Sequence, residues 1–221
     1  MPTNSCEKTT VLLADHHPLA LAGIRKLLAK ANDLEIIGEA DDGFKAQKLL
    51  VELHPKILLI DLKMPGPRPS DLEKWLRKNC LEIVTLVLTA DDRDAYLAGM
   101  IDAGASGYLS KNITSKQLIA AIRRAALGEI IFDKIQLTRA SQWQEAVGKK
   151  IRQLTHREHD ILILLAKGMD SKSISVSLKI STKTVAYHIT NVFSKLDVNS
   201  RQQAAIWALK HLSDDLDMFL G

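Results

Sequence analysis

Ile57-Leu58-Leu59-Ile60-Asp61-Leu62-Lys63-Met64-Pro65-Gly66 is the stretch that decides the fold. Four consecutive apolar residues read as a strand buried on both faces, and Asp61 closes it. The Pro65-Gly66 pair keeps a helix from starting directly afterwards. Strands buried on both faces belong to parallel sheets covered by helices. In open sheets of that kind the chemistry gathers beyond the carboxyl ends of the strands, which is where Asp61 falls.

Outward from this strand, short apolar runs alternate with amphipathic stretches. Strands are predicted at 11–14, 35–38, 57–60, 83–88 and 107–109, and helices at 18–30, 43–53, 70–78, 91–102 and 114–127. Pro18 near a helix start and Gly104 after a helix end fit the usual punctuation. Five strand–helix repeats imply an α/β doubly wound five-stranded parallel sheet. The pattern changes after Gly128. Residues 129–150 have no clean period and read as a linker with one short helix around 141–147. Beyond Thr155 every segment is helical, at 156–167, 171–178, 182–195 and 200–211, which describes an all-α four-helix domain.

Composition bounds the function. The 221 residues are 46% hydrophobic and 25% charged, ordinary for a globular chain with room for two modest domains. No apolar run is long enough to span a bilayer. The first ten residues are polar and include Glu7, unlike a secretory leader. Cys6 and Cys80 suggest neither a metal site nor a disulfide framework, so a reducing cytoplasm is the simplest location. The net charge of +4 is unevenly spread: residues 149–212 hold 11 Lys/Arg and 4 Asp/Glu, so the rest of the chain is slightly acidic. A basic carboxyl-terminal piece suggests a module for a polyanion, or a solvated basic surface.

The predicted strand ends bring Asp15, Asp61, Thr89-Ala90 and Ser110-Lys111 toward one crevice. Taken singly, Asp15 reads as a helix N-cap, Thr89 as a strand-end hydroxyl, Lys111 as a surface lysine and His17 as a loop residue. Taken together, two carboxylates, a hydroxyl and an ammonium suit an aspartate nucleophile acting on a phosphoryl donor, with a divalent cation to offset the negative charge. An aspartate-nucleophile phosphatase-like enzyme is the alternative, but it requires a second acid two residues after Asp61, and Lys63 stands there.

Residues 9–127 resemble the receiver domain of two-component response regulators, through Asp15, Asp61-Leu62-Lys63-Met64-Pro65-Gly66, Thr89-Ala90 and Gly107-Tyr108-Leu109-Ser110-Lys111. The resemblance implies Asp61 as phosphoacceptor, Thr89, Tyr108 and Lys111 as switch residues, and Mg²⁺ held by Asp15, Asp61 and the backbone carbonyl of Lys63. It also implies a sensor histidine kinase as partner. One departure bears on the metal: the family usually has two adjacent acids after the first strand, and here the pair is Asp15-His16. Imidazole is a poor Mg²⁺ ligand. Three readings follow: a tolerated His16 with Mg²⁺ on Asp15, Asp61 and water; a protonated His16 that supplies positive charge; or an atypical, phosphorylation-independent regulator.

In the helical piece, Thr155 and Glu158 form a capping box, and Gly168 stops the helix. Ser171 to Leu178, the turn Lys179-Ile180-Ser181 and a further helix make a helix-turn-helix. Along that last helix Val185, Ile189, Val192 and Leu196 form the apolar stripe, opposite Lys183, Tyr187, Thr190, Asn191 and Ser194. The opposite face suits base edges, while Lys172, Thr182, Lys183, Thr184 and Lys195 suit phosphates.

The segment resembles the LuxR/NarL-type helix-turn-helix through Leu154-Thr155-His156-Arg157-Glu158, Ala166-Lys167-Gly168, Lys172-Ser173-Ile174, Ile180 to Val185, His188, Lys195-Leu196-Asp197-Val198 and Arg201. Ala186 stands where many relatives have lysine, and Ser175 where they have alanine. The combined resemblance is to a NarL/LuxR-type response regulator, with a receiver over 9–127, a linker over 128–150 and a DNA-binding domain over 151–213. It implies double-stranded DNA and RNA polymerase as partners, a homodimer on DNA, an inward-packed His188, and no enzymatic role.

Overall fold

The computed structural model describes residues 8–79 and 82–212. Cys6, Cys80 and residue 213, the predicted end of the helical domain, lie outside the described residues. The chain divides into two compact units, the first ending at Ser141 and the second opening at Gln142.

The first unit is built on β1 (Thr9–Ala14), β2 (Leu34–Ala40), β3 (Ile57–Ile60), β4 (Val84–Thr89) and β5 (Gly107–Ser110). All pairs are parallel and the order is β2-β1-β3-β4-β5, so the direction of winding reverses beside β1 and β3. All four residues of β3 are buried, as its uninterrupted apolar run requires. Alternate side chains leave opposite faces of a strand. One set (Val11, Leu13, Ile57, Leu59, Leu86 and Leu88) packs with Ile24, Leu28, Leu118 and Ile122. The other set, Leu12, Leu58, Ile60 and Val87, is equally buried.

Four helices, α1 (Pro18–Leu28), α2 (Gly43–Leu53), α3 (Pro69–Asn79) and α4 (Asp94–Ala103), join the strands, and α5 (Ser115–Ala126) follows β5. Their starts follow local chemistry: proline in the first turn of α1, the Asp42 carboxylate on the Lys45 N–H for α2, and a Thr114–Gln117 capping box for α5. Helix α4 starts at Asp94 rather than Asp91. The Asp91 N–H donates to Thr89 Oγ1 and the Arg93 N–H to Asp91 Oδ1, which holds these residues in turns.

The segment read as a linker is largely helical. Ile131 bridges to Gly107, where an added Cβ would lie 2.7 Å from the Ile131 Cβ. Then come α6 (Lys134–Trp143), a π-helical turn (Gln144–Gly148) and α7 (Lys149–Gln153). Helix α6 buries only Ala140 and exposes Ile135 and Leu137, so it has no apolar stripe to betray it.

The second unit continues with α8 (His156–Ala166), α9 (Ser171–Leu178), α10 (Thr182–Leu196) and α11 (Arg201–His211). Ile161, Leu162, Leu165, Ile174, Val185, Val192, Leu196, Ala204 and Ala208 share one core. The Thr155–Glu158 capping box is present, and Asp170, Ser181 and Ser200 cap α9, α10 and α11. Among the described residues no helix is long and apolar enough to cross a membrane.

Candidate functional site

The pairing of β1 with β3 in register at Ala14 and Ile60 sets Asp15 and Asp61 side by side. The Asp61 N–H donates to Ala14 O and the Asp15 N–H to Ala40 O, so both carboxylates leave fixed backbone. Each residue is 3% exposed. Lys111, after β5, reaches both: its Nζ is 2.7 Å from Asp15 Oδ2 and 3.0 Å from Asp61 Oδ2. Burial works against charge on Asp15, but the Lys111 ammonium and the His17 N–H outweigh it and hold the carboxyl below its ordinary range. Asp61 Oδ1 is buried without a hydrogen-bond partner among the described residues. Asp61 also lines an open cleft of ≈ 430 Å³, together with His17, Lys63, Thr89, Lys111 and the residues of the loop after β4.

The crevice thus gathers Asp15, Asp61, Thr89 and Lys111, as the strand ends predicted. Asp15 is not the cap of α1. That position is His17, which makes no side-chain capping bond, and Asp15 Oδ1 instead accepts the His17 N–H at 2.9 Å. His17 is also no bystander in a loop. Its Nδ1 lies 3.0 Å from Asp15 Oδ1 and 3.8 Å from Asp61 Oδ2. His16 Nδ1 is 3.8 Å from Asp61 Oδ2, and the two imidazoles pack with centroids 3.7 Å apart. The adjacency of two histidines to Asp15 was the available signal for this role.

Thr89 is buried at the end of β4 and its hydroxyl accepts the Asp91 N–H. Asp91 holds Lys63 Nζ at 3.3 Å and pairs with Arg93. Tyr108 is buried, and its hydroxyl donates to Asp91 O at 2.6 Å. Burial, with Asp91 and Asp92 nearby, pushes the Tyr108 phenol upward. The same segment binds the helix beyond: Arg139 pairs with Asp92 at 2.9 Å and Asp94 at 2.6 Å, and Gln136 Nε2 donates to Tyr108 O. Sequence reasoning missed Arg139, since its partners lie more than forty residues earlier.

In the helical unit, Val185, Val192 and Leu196 are buried and Ile189 is half-buried. Thr182, Lys183, Ala186, Tyr187, Thr190 and Ser194 are exposed along the opposite side, with Thr184 and Asn191 at its margins. Lys172 is exposed on α9. The turn between α9 and α10 puts Lys179 at φ 53 and caps α10 with Ser181, whose Oγ accepts the Thr184 N–H. Lys195 is engaged elsewhere: its Nζ is 2.6 Å from Glu158 Oε2, and Glu158 is buried. Ser175 is buried and donates to Lys172 O. His188 is half-buried, with Nδ1 lacking a partner among the described residues. Arg201 ties α11 to the start of α9 through Ser171 Oγ and Met169 O.

Comparison with known proteins agrees with both halves. Residues 11–123 match the response regulator receiver domain, and residues 152–208 match the luxR family of bacterial regulatory proteins. The chain belongs to the NarL/LuxR-type response regulators. It is 32% identical over 205 residues to the nitrate/nitrite response regulator NarL of Escherichia coli K12, covering 91% of this chain and 95% of NarL. It is 33% identical over 203 residues to the response regulator VraR of Staphylococcus aureus, covering 91% and 96%. Among solved structures, Salmonella typhimurium RcsB superposes with a TM-score of 0.58 at 25% identity, covering 91% of this chain and 98% of RcsB. Two RcsB dimers bound to DNA give 0.60 at 27% identity, covering 94% and 98%. The α/β unit of this response regulator is therefore a receiver, and its helical unit is of the LuxR type.

Proposed function

We propose that this response regulator controls transcription by binding double-stranded DNA through α10, under control of phosphorylation at Asp61. The observation that carries the reading is Asp61 in the lining of an open cleft, with Oδ1 unpartnered and Lys111 on Oδ2. A carboxylate so placed has one oxygen free to attack a phosphoryl donor. The Lys111 ammonium is at hand to neutralise the added charge. A phosphoryl group on Asp61 draws on Lys111 and the Thr89 hydroxyl. Thr89 accepts the Asp91 N–H, and Tyr108 donates to Asp91 O, so a shift of Thr89 passes to the segment that Arg139 holds. Thr89, Tyr108 and Lys111 are the switch in this reading, and a sensor histidine kinase is the donor.

Mg²⁺ held by Asp15, Asp61 and the Lys63 carbonyl would offset charge during transfer. The donor set fits that ion poorly, because two of the four clustered side chains, His16 and His17, offer imidazole nitrogen. This supports the second reading, a regulator that does not depend on Mg²⁺-driven phosphorylation. The relatives NarL and VraR are response regulators, and in this reading the chain is likewise a regulator.

For DNA, the exposed Lys183, Ala186, Tyr187, Thr190 and marginal Asn191 face base edges, while Lys172, Thr182 and Thr184 set the register on phosphates. The receiver spans 9–127, the connecting segment 128–150 and the DNA-binding domain 151–213. RcsB has been solved as dimers on DNA, and by analogy this chain binds as a homodimer; RNA polymerase as partner and a cytoplasmic location follow from membership of the family.

Incubation with acetyl phosphate followed by intact-mass measurement tests the control step. One added phosphoryl group in the parent and none in Asp61→Asn is expected. No gain in the parent at any Mg²⁺ concentration, with unchanged DNA binding, would establish the phosphorylation-independent version.

A further inference from the structure

The geometry points to a binding site for an imidazole-accepting divalent transition ion, of the Zn²⁺ and Co²⁺ class, formed by Asp15, His16, His17 and Asp61. One ligand atom from each residue can be chosen so that all four lie within 4.8 Å of one another. Bonds of about 2.0–2.1 Å in a tetrahedral site put its donors roughly 3.3 Å apart. The separations present, 3.0 Å from His17 Nδ1 to Asp15 Oδ1 and 3.8 Å from either Nδ1 to Asp61 Oδ2, bracket that value. An ion bound through Asp61 Oδ2 displaces the Lys111 ammonium, which lies 3.0 Å from that atom; one bound through Oδ1 leaves it in place.

A second observation points to a ligand. Asp61 is 3% exposed, and its Oδ1 has no hydrogen-bond partner among the described residues; His16 Nδ1 is a second buried donor atom without one. Lys111 holds the Oδ2 atoms of Asp15 and Asp61; Asp61 Oδ1 is unpartnered, and Asp15 Oδ1, which accepts the His17 N–H, faces His17 Nδ1. Two carboxylates against one ammonium leave the cluster a negative charge for a dication to offset. The nature of the donors sets the preference. Mg²⁺ requires near-octahedral oxygen ligands, whereas mixed imidazole and carboxylate sets suit zinc and its neighbours. The His16–His17 pair thus changes which ion the crevice selects, rather than only weakening the site.

The site shares Asp61 with the proposed phosphoacceptor, but the test reads metal rather than phosphate, so the two readings fail separately. The chelator-stripped full chain is titrated with Zn²⁺ and with Mg²⁺ in a calorimeter, and with Co²⁺ by visible absorption. One Zn²⁺ per chain is expected, bound at least ~100-fold more tightly than Mg²⁺. The Co²⁺ complex should show the intense absorption of a tetrahedral site with nitrogen ligands. His16→Ala and His17→Ala should each weaken Zn²⁺ by at least about tenfold, with unchanged circular dichroism. His156→Ala/His159→Ala, a second histidine pair on α8, should leave Zn²⁺ affinity as it was. His16→Asp should narrow the gap to Mg²⁺. Zn²⁺ affinity that survives loss of His16 and His17, or that disappears with His156 and His159, would overturn the assignment. So would Mg²⁺ binding as tightly as Zn²⁺.

Discussion

Lys195 is the cationic partner of a buried carboxylate, and Lys195→Met removes it. Its basic side chain near the end of α10 suits a DNA phosphate, yet its Nζ sits 2.6 Å from Glu158 Oε2. Glu158 is 3% exposed and also accepts the Thr155 N–H at 2.7 Å, whereas the Lys195 side chain is 31% exposed. Breaking a fully buried pair costs about 3–5 kcal/mol. Here only the carboxylate is fully buried, so Lys195→Met should destabilise the helical unit by about 2 kcal/mol, because it strands a buried charge. Glu158→Gln should cost about 1 kcal/mol, since glutamine can still complete the capping box and the ammonium keeps water. The double variant should cost little more than Glu158→Gln alone, a coupling of roughly 1–2 kcal/mol. At about 4–8 °C per kcal/mol for a domain of this size, Lys195→Met lowers the unfolding temperature of this unit by about 8–16 °C. Hydrogen exchange of the α8 and α10 amides in the full chain reads that stability apart from the receiver. The pH dependence carries a definite sign. Burial opposes the Glu158 charge, but Lys195 and the Thr155 N–H outweigh it and lower the carboxyl from its usual value of 4.5. The contribution is therefore complete above the unfolded value and is lost as pH falls through the lowered folded value, so parent and Glu158→Gln converge in acid. Additive single variants, each below about 0.5 kcal/mol, together with weakened DNA binding by Lys195→Met, would refute the reasoning and return Lys195 to the DNA surface.

Three further outcomes are expected. Lys183→Ala, on the exposed face of α10, should reduce the slope of log affinity for DNA against log salt by about 0.9 in a mobility-shift series, with unfolding unchanged. Glu73 is buried beside Arg77, and burial raises its carboxyl above the ordinary range. Protonated Glu73 thus favours the folded receiver at low pH, an advantage lost as pH rises through the raised value. Denaturant titrations should show parent stability falling relative to Glu73→Gln over that rise. Arg139→Ala should accelerate amide exchange at residues 91–94 and along α6, since it removes the ion pairs to Asp92 and Asp94.

Legibility followed the range of the interactions. Strand β3 was plain because its four apolar residues run without a break, and α9 and α10 were plain because the turn Lys179-Ile180-Ser181 separates them. Helix α6 was hidden, since its large apolar residues face outward and the π turn places Gly148 against Gln144. Asp15, Asp61 and Lys111 were readable as strand ends, because parallel topology itself converges them. His17 was not, because a local turn to Asp15, rather than any periodicity, aims its ring. The Lys195–Glu158 and Arg139–Asp92 pairs join residues 37 and 47 apart, and nothing in local pattern records which distant charge a basic residue meets.

That last class of contact bears on how a signal leaves the receiver. The loop after β4 and the first residue of α4 supply three acids, Asp91, Asp92 and Asp94, and each is held by a basic partner. Asp91 takes Lys63 and Arg93, Asp92 takes Arg139, and Asp94 shares Arg139 beyond the intervening Arg93. The backbone of the same loop is held by Thr89 at the Asp91 N–H and by Tyr108 at the Asp91 carbonyl. Under the phosphoacceptor reading, charge added at Asp61 acts on Lys111, 3.0 Å from Asp61 Oδ2, and on Thr89, which lines the same cleft. Any movement of Thr89 must then alter the Asp91 backbone, because that hydrogen bond is 3.1 Å long and spans only two residues. Arg139 and Gln136 read the outcome on α6, one through the acids and the other through the Tyr108 carbonyl. Loss of either contact alone leaves the other in place, so the double variant Arg139→Ala/Gln136→Ala should uncouple α6 from the state of Asp61 more completely than the sum of its parts.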